Sequence, residues 1–444
     1  MSKNRTKPQP ISGFPEWLPG HKAAEQAWID TIRHVFESYG FGPIETPSIE
    51  ALDTLLAKGE TDKEIYVLKR LQEDDANNSD ARLGLHYDLT VPFARYAAQH
   101  FNDLSFPFKR YQIQRAWRGE RPQEGRFREF YQCDIDVINV DSLPLHFDAE
   151  MPLIIGEVLE RLRVPNARLH ISNRKILAGY VMALGIEDIV GVIRILDKLD
   201  KLGRDGVHAA LLREVGLDTV VADRLLALGE IRSGDESFAE RVQALGVGHP
   251  VLEEGIEELR FVMRALAPLP DGMAVADLSI ARGFDYYTGT VYEGRLTDYP
   301  GFGSVVSGGR YDDLAGSFIN RKLPGVGISL GLSRLFSKMV DEGLIEAGRP
   351  VPTDILVILP SEETRTLANQ TGATLRRRGF NVEVFHNASK LKRQLAYAEK
   401  KQIPFVWFPP FEAGQDHEVK DMTRGTQSVA DPKEWQREIS TTRG

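Results

Sequence analysis

Residues 108–138 concentrate side chains that bind charged ligands. Between Lys109 and Arg128 the chain has seven basic residues and two acidic ones. Just beyond, every second residue points to one face of a predicted strand, because strand side chains alternate with a period of two. That face carries Phe130, Gln132, Asp134 and Asp136. Such a face is either fully solvated or the floor of a polar site. Guanidinium groups pair with carboxylates and phosphates, so the arginine-rich arm favours a site for a zwitterion beside a polyphosphate.

Two further segments carry candidate ligand-binding residues. Residues 83–90, LGLHYDLT, alternate as a strand on which Asp88 and Thr90 share a side, although Asp88 taken alone is more often a turn or helix-cap residue. The glycine-rich stretch 324–331 predicts a strand that enters a helix near Gly331, with Arg334 in the first turn of that helix. Glycine in such a strand permits close backbone approach to a flat ligand.

The bulk composition narrows the class of protein. The 444 residues allow two or three domains, and a single cysteine excludes an internal disulfide and a cysteine-cluster metal site. The ten histidines show no metal-ligand spacing, and no apolar run is long enough to span a membrane. The polar start is not that of a secretory signal, so we expect a cytoplasmic protein. A net charge of −9 argues against wholesale nucleic-acid coating but allows local basic patches.

The remaining segments divide the chain. Apolar spacing predicts a helix over 20–39, then an extended segment with Pro43 and Pro47 at a sheet edge that could meet a partner subunit. Residues 185–262 are predicted to be a helical packing or partner-contact insertion, and 341–354 a polar linker. Strands and helices alternate from 354 to 409, as in a βαβ unit, and a hairpin and a helix over 432–439 complete the prediction.

Residues 374–401 hold eight basic residues against two acidic ones. A charge run of this kind is either a solvated helix face or the footprint of a nucleic-acid backbone, and the pattern by itself leaves both open.

Several stretches resemble class II aminoacyl-tRNA synthetases. Gly20–Ile49 is similar to their motif 1, FKRYQIQRAWRGERPQEGRFREFYQCDID (108–136) to motif 2, and PGVGISLGLSRL (324–335) to motif 3. ARGFDYY (281–287), YDLT (87–90) and SGGRYDDL (307–314) resemble the elements that distinguish the histidyl-tRNA synthetase family. The last 90 or so residues are similar to an anticodon-binding domain.

The resemblance implies a fold class and a domain order. The fold is an α+β catalytic domain with a mostly antiparallel sheet flanked by helices, a helical insertion and a C-terminal α/β anticodon-binding domain. The implied domains are 1–184 and 263–340 for the two catalytic parts, 185–262 for the insertion, 341–354 for the linker and 355–444 for the anticodon-binding domain.

The resemblance also implies site residues. Those implied for histidine are Asp88, Leu89, Thr90, Arg118, Gln132, Asp136, Arg282, Tyr286 and Tyr287. Those implied for ATP are Arg118, Glu120, Arg126, Phe130 and Arg334. Arg118 and Arg282 would act at the α-phosphate, and Gln123 and Arg128 would contact tRNA. Ser333, where many members have glutamate, supports no metal role, and Phe284, Trp117 and Gly119 are departures that remove no reacting group.

The implied activity is ATP-dependent attachment of L-histidine to tRNA(His), with Mg²⁺ accompanying ATP and with a homodimer as the assembly. One alternative is the non-catalytic, synthetase-like regulatory subunit of ATP phosphoribosyltransferase, which usually lacks the anticodon-binding domain. A threonine- or proline-type synthetase is disfavoured by ARGFDYY, and the lone Cys133 also argues against the zinc site of the threonine type.

Overall fold

The computed structural model describes residues 7–56, 64–70, 82–280, 287–313 and 315–437. Contacts divide the chain into two compact units, a larger one of Met1–Pro15 with Trp28–Leu344 and a smaller one of Glu16–Ala27 with Ile345–Gly444. The change of unit after Leu344 falls inside the predicted linker, 341–354.

The larger unit is built on one large sheet. The described part of this unit has eleven strands, of which β2 and β3 form a separate pair. The strands are β1 (Gly42–Pro43), β2 (Ile49–Ala51), β3 (Leu83–Leu85), β4 (Phe108–Trp117), β5 (Glu129–Ile138), β6 (Ala167–Asn173), β7 (Arg232–Ser233), β8 (Ala274–Asp277), β9 (Tyr287–Leu296), β10 (Ser304–Tyr311) and β11 (Gly325–Leu330). The large sheet has the order β1-β4-β5-β11-β10-β9-β6-β8-β7, and β2 pairs with β3. Neighbours run antiparallel except β1 with β4 and β6 with β8, so the predicted mostly antiparallel sheet is confirmed.

Helices cover the sheet. The first five are α1 (Pro19–Ser38), α2 (Leu52–Leu55), α3 (Thr90–Gln99), α4 (His146–Arg161) and α5 (Arg174–Ala183). The helix predicted over 20–39 is confirmed as α1, whose Val35 and Phe36 are fully buried. Phe93 on α3 packs in a small core with Ile138 of β5 and Tyr311 of β10, which fixes α3 above these strands.

The segment predicted to be a helical insertion is mostly helical. Its helices are α6 (Ile189–Leu196), α7 (Leu199–Ala210), a π-helical turn (Leu211–Val215), α8 (Thr219–Gly229), α9 (Phe238–Gln243) and α10 (Pro250–Ala265). The sequence pattern missed β7, which pairs with β8 at the sheet edge. The predicted boundary at 262 falls inside α10. This helix packs closely on α5, where a Cβ added at Gly179 would lie 2.3 Å from the Leu252 backbone nitrogen.

The last helix of the larger unit, α11 (Leu332–Asp341), follows β11 directly, so the predicted strand-to-helix junction at Gly331 is confirmed. A buried ion pair joins β10 to α4, with Arg310 Nη2 2.6 Å from Asp148 Oδ1. Thr290 also donates to that carboxylate over 2.7 Å. Arg310 of the SGGRYDDL stretch is therefore a structural residue.

The smaller unit has its own sheet of five described strands. They are β12 (Ile355–Val357), β13 (Val382–Val384), β14 (Phe405–Phe408), β15 (Glu418–Asp421) and β16 (Gln427–Val429), with α12 (Arg365–Arg377) and α13 (Leu391–Lys400) between them. The order is β13-β12-β14-β15-β16, parallel from β13 to β14 and antiparallel beyond. The βαβ arrangement and the hairpin are confirmed.

The helix predicted over 432–439 is wrong for its described part. Residues 432–434 form a turn, and 435–437 are irregular. Trp435 instead stacks against Phe380, Phe405 and Trp407, with ring centroids 5.1 to 5.6 Å apart. Packing of this large ring outweighs the weak local preference for helix.

Candidate active site

The polar face lies at the centre of the large sheet. In the β4–β5 hairpin, Arg110 pairs with Asp136 and Gln112 with Asp134. On the other side of β5, Asp136 pairs with Gly327 and Asp134 with Ser329 of β11. Directly paired residues point to the same side of a sheet, so three strands contribute to one polar floor. The predicted alternation from Phe130 to Asp136 is confirmed.

Two adjoining cavities stand on this floor. We call the smaller one, of about 50 Å³, the inner cavity and the larger one, of about 230 Å³, the outer cavity. Both are lined by Arg118, Gln132, Ser307 and Ser329, so they form one site with two compartments.

The inner cavity is strongly acidic. Asp88, Asp134 and Asp136 line it, and each residue is 3% exposed. Arg110, which is fully buried, places its Nη2 2.6 Å from Asp136 Oδ2, and the Tyr311 hydroxyl donates to Asp136 Oδ1 over 2.9 Å. Burial raises the pKa of Asp136 to about 7, although the Arg110 guanidinium opposes this shift.

Asp88 reaches the cavity from a different element than the alternation predicted. The strand ends at Leu85, residues 86–89 are irregular, and Thr90 begins α3. Asp88 Oδ1 accepts a hydrogen bond from the Val91 backbone nitrogen over 3.2 Å. The strand over 83–90 is therefore wrong beyond Leu85, and the capping alternative holds. Thr90 lines the same cavity as Asp88. Burial raises the pKa of Asp88 to about 6.

The glycines beside the cavity serve the protein itself. A Cβ added at Gly327 would lie 2.0 Å from Asp136 Oδ1, and one added at Gly308 would lie 2.3 Å from the Gly327 carbonyl oxygen. Close backbone approach to a flat ligand, one reason that the sequence pattern offers for these glycines, stays a prediction. In the structure the close approach is between neighbouring strands, and it makes room for the Asp136 carboxylate.

The outer cavity is lined by arginines and an aromatic ring. Arg118 donates through Nε to the Tyr87 carbonyl over 3.0 Å, and its guanidinium carbon lies 5.2 Å from the Phe130 ring centroid. Arg126 donates to Glu120 Oε2 over 3.2 Å, and both residues line the cavity.

Arg334 lies in the first turn of α11, as predicted, and its guanidinium carbon is 4.7 Å from the Phe302 ring centroid. Its Nη2 donates to the Phe302 carbonyl. Burial and the nearby Arg126 guanidinium lower the pKa of Arg334 to about 10. The side chain therefore stays cationic at neutral pH and supplies positive charge to the outer cavity.

Most of the described site residues come together here. The inner cavity gathers Asp88, Thr90, Asp136 and Tyr287, the outer cavity gathers Glu120, Arg126, Phe130 and Arg334, and Arg118 and Gln132 line both. Arg282 and Tyr286 lie outside the described residues.

Three of the residues that the resemblance implied do not line either cavity. Leu89 is fully buried next to Asp88. The Arg128 guanidinium donates to the carbonyls of Glu120 and Ser12 over 3.1 and 3.5 Å, and so supports the motif 2 turn. Gln123 forms a backbone bridge with Arg126 in the same turn.

The sequence patterns missed Arg110, Tyr311 and Ser329. Arg110 could have been found, since Arg110, Gln112 and Gln114 alternate on β4 as the acidic residues do on β5. Tyr311 and Ser329 could not, because only the strand order brings them beside Asp136 and Gln132.

A resident metal centre is not visible in the described residues. In those ranges no group of three or more His, Cys, Asp or Glu side chains is arranged to hold a metal ion. Ser333 Oγ accepts a hydrogen bond from the Tyr131 backbone nitrogen over 2.8 Å, so its role is structural. None of the described helices has the length and apolar composition needed to cross a membrane.

An antiparallel sheet with an arginine-rich hairpin, a two-compartment polar floor and a separate α/β unit is the construction of a class II aminoacyl-tRNA synthetase, and the chain is an enzyme of that class. A sequence profile described as histidyl-tRNA synthetase matches residues 13–335, and one described as an anticodon binding domain matches 354–430. The chain belongs to the histidyl-tRNA synthetase family, as the resemblance implied.

Relatives agree over nearly the whole length. The chain is 60% identical to the histidine–tRNA ligase of Thermobifida fusca, over 98% of this chain and all of that protein. It is 47% identical to the enzyme of the same name from Micrococcus luteus, over 96% of this chain and 95% of that protein. The crystal structure of histidyl-tRNA synthetase from Nostoc sp. PCC 7120 superposes with a TM-score of 0.85 at 36% identity, covering 96% of this chain and 97% of that one.

A structure described as an ATP phosphoribosyltransferase regulatory subunit/histidyl-tRNA synthetase, from Bacillus halodurans C, superposes with a TM-score of 0.74 at 22% identity. It covers 90% of this chain and 99% of that one, and at this identity the likeness is one of fold. The regulatory-subunit alternative is the less supported reading.

Proposed function

We propose that the chain attaches L-histidine to tRNA(His) through a histidyl-adenylate intermediate, consuming ATP and releasing AMP and pyrophosphate. The observation that carries this proposal is the pair of cavities that meet at Arg118 and Gln132. A small acidic compartment suits an amino acid with an ammonium group and an imidazole. A larger, arginine-lined compartment suits a nucleoside triphosphate.

The chemistry needs positioned charge and no protein nucleophile. The histidine carboxylate is ionised at neutral pH and attacks the α-phosphorus, and pyrophosphate leaves. The Arg118 guanidinium stands where the compartments join and would stabilise negative charge that grows on the α-phosphate oxygens. Arg282 is proposed as the second such group, on the family resemblance alone. The terminal ribose hydroxyl of the tRNA then attacks the adenylate carbonyl.

The inner cavity would select histidine by hydrogen bonding. Asp136, Tyr287 and the resemblance-implied Tyr286 are proposed on the imidazole side, with Asp88, Thr90 and Gln132 around the α-ammonium group. Asp136 is held by two protein partners, Arg110 and Tyr311, so its carboxylate is fixed before the substrate arrives. A site with fixed polar partners rejects analogues that lack the matching nitrogen more strongly than an apolar pocket does. Leu89, whose side chain is buried, would contribute only through its backbone.

The outer cavity would hold ATP. Phe130 offers a ring for adenine, and Arg126 and Arg334 offer charge to the phosphates. Glu120 is the carboxylate that lines this cavity among the described residues. Mg²⁺ typically binds through one or two carboxylates together with substrate phosphates, so this donor set fits an ion that accompanies ATP. When bound, the ion would supply charge that neutralises the leaving pyrophosphate.

The C-terminal domain, 355–444, is proposed to bind the anticodon stem of the tRNA. Lys390, Lys392 and Arg393 are exposed around the start of α13, which supports a phosphate-binding surface. Gln123 and Arg128 of the motif 2 turn are proposed near the acceptor end. The division into 1–184, 185–262, 263–340, 341–354 and 355–444 is proposed as the domain organisation.

A homodimer is proposed as the assembly. The apolar side chains of Ile49, Val67 and Leu83 lie on or beside the β2–β3 pair, and 45%, 50% and 48% of their surfaces are exposed. Grouped exposed apolar side chains mark contact surfaces, which supports burial against a second copy. We further propose that the protein works in the cytoplasm.

The proposal is tested by ATP–pyrophosphate exchange with each of the twenty amino acids. We expect exchange with L-histidine only. Exchange with a different amino acid, or with none, contradicts the proposal.

The tRNA part is tested separately by replacing Lys390, Lys392 and Arg393 together with glutamate. Loss of phosphate contacts should lower the charging of tRNA(His) by roughly tenfold or more. Histidine-dependent exchange by the same variant is the internal control and should stay unchanged. Unchanged charging would show that this surface does not bind tRNA.

A further inference from the structure

Three oxygen atoms at the inner cavity accept no hydrogen bond from the part of the protein that the structure describes. They are Asp88 Oδ2, Gln132 Oε1 and Asp134 Oδ1. Buried oxygen atoms without a donor are rare in folded proteins, and each one calls for an explanation. Here all three belong to residues that line one small cavity, so a single ligand group with several donors in that cavity accounts for all of them.

The second polar atom of each side chain is held by the protein. Asp88 Oδ1 accepts from the Val91 backbone nitrogen over 3.2 Å. Gln132 Nε2 donates to Ser329 Oγ over 3.0 Å, and Ser329 is also hydrogen-bonded to the Asp134 carboxylate. A serine hydroxyl has one hydrogen, which it gives to the carboxylate, so it must accept from the Gln132 amide nitrogen. Gln132 Oε1 and Asp134 Oδ1 are the atoms that these bonds leave without a hydrogen-bond partner among the described residues.

A primary ammonium group matches this arrangement, because it has three N–H donors and no acceptor. We propose that Asp134 is a third acceptor for the α-ammonium group of the amino-acid substrate, beside Asp88 and Gln132. The inference rests on the proposed function. It adds a binding residue that neither the family resemblance nor the sequence motifs assigned.

The position of Asp134 along β5 agrees with this role. It lies between Gln132, which lines both cavities, and Asp136, which pairs with Arg110 deeper in the sheet. A histidine with its carboxylate near Arg118 and its imidazole near Asp136 would therefore bring its ammonium group past Asp134.

The charges around Asp134 also support its role as an acceptor for the ammonium group. Burial raises the pKa of Asp134, while the Arg110 and Arg118 guanidinium groups and the Ser329 hydroxyl act in the opposite direction. A bound ammonium group would favour the ionised carboxylate further. The competing explanation is that Asp134 serves only as a counter-charge to Arg110. That role would affect stability, and it would affect all ligands of the cavity alike.

The test replaces Asp134 with asparagine, which keeps the shape and removes the charge. In ATP–pyrophosphate exchange by Asp134→Asn we expect the KM for histidine to rise roughly 10- to 100-fold, because a charge-assisted hydrogen bond is lost. The KM for ATP should stay within about twofold, since the outer cavity keeps all its groups. Thermal unfolding followed by circular dichroism verifies that the variant is folded.

Two inhibitors separate the explanations. Histidinol keeps the ammonium group, and 3-(imidazol-4-yl)propionate lacks it. We expect Asp134→Asn to raise the inhibition constant of histidinol by the same factor as the KM for histidine. The inhibition constant of the propionate should stay unchanged. An unchanged KM for histidine, or equal weakening of both inhibitors, overturns the inference. Absence of histidine-dependent exchange by the unaltered protein would instead contradict the proposed function.

Discussion

Strands β5, β10 and β11 line both cavities, but the inner cavity is completed by the start of α3, whereas the outer cavity is completed by the motif 2 turn and the first turn of α11. In the inner cavity the three carboxylates are almost fully buried, and each is held by strand neighbours or a helix end. In the outer cavity Arg126 keeps 49% of its side-chain surface exposed and pairs with one carboxylate, Glu120. Replacement of a charged side chain should therefore mainly reduce folding stability at the inner cavity. At the outer cavity it should mainly reduce activity.

The largest effect is expected from Arg110→Met. Removal of the cation leaves Asp136 buried beside Asp88 and Asp134, and breaking a buried pair in this way costs about 3–5 kcal/mol of unfolding free energy. Urea denaturation measures the loss. The matched variant on the outer side is Arg126→Met, which should stay within about 0.5 kcal/mol of the unaltered protein. Equal losses of unfolding free energy in the two variants would show that the two cavities do not differ in their contribution to stability.

A large effect on rate, with little on folding, is expected from Arg118→Ala. Loss of a guanidinium that stabilises the α-phosphate should slow histidine-dependent exchange roughly 10²- to 10³-fold. The control is Arg115→Ala, three residues earlier on β4. Arg115 pairs with Glu129 over 2.8 Å and lines neither cavity, so exchange should be unchanged. Similar exchange rates for the two variants would show that Arg118 does not stabilise the α-phosphate during the reaction.

A smaller effect, confined to the outer side, is expected from Phe130→Leu. Stacking of a base on an aromatic ring contributes about 1–3 kcal/mol, so the KM for ATP should rise roughly 5- to 150-fold while the KM for histidine stays the same. Tyr131→Leu, on the opposite face of β5, is the control and should leave both constants unchanged. If Phe130→Leu raised the KM for histidine instead, the assignment of the two compartments would be reversed.

The last expected difference concerns pH. The pKa of Asp136 is raised by burial from 3.8 to about 7, so the folded protein binds this proton more tightly than the unfolded chain does. The contribution of Asp136 to stability is therefore fully present below about pH 4 and is lost as the pH rises to about 7. Asp136→Asn should gain stability relative to the unaltered protein across this window in urea denaturation series. Asp103→Asn, at an exposed site, should show no such trend.

Sequence patterns predicted the elements whose periodicity is long and unmixed. The period of two from Phe130 to Asp136 is confirmed because β5 is central and has one polar face throughout. The alternation over LGLHYDLT failed beyond Leu85. There the buried Leu89 and the capping Asp88 begin a helix, and a short alternating pattern cannot distinguish a strand from the turn before a helix.

The charge partners within the site depended on strand order. Arg110 lies 26 positions from Asp136 in sequence, and Tyr311 lies 175 positions from it. Only the assembled sheet shows that Arg110 and Tyr311 both contact the Asp136 carboxylate. The packing role of Gly327 could not be predicted from sequence for the same reason. Its missing side chain makes room for Asp136, which belongs to a different strand.

The central claim is that each compartment holds its own ligand and that Arg118 lies between them. A crystal structure of the protein with histidinol and ATP tests it most directly. We expect the imidazole beside Asp136 and Tyr287, the adenine against Phe130 and the α-phosphate within hydrogen-bonding distance of Arg118. An imidazole outside the inner cavity, or an α-phosphate out of reach of Arg118, would contradict the account.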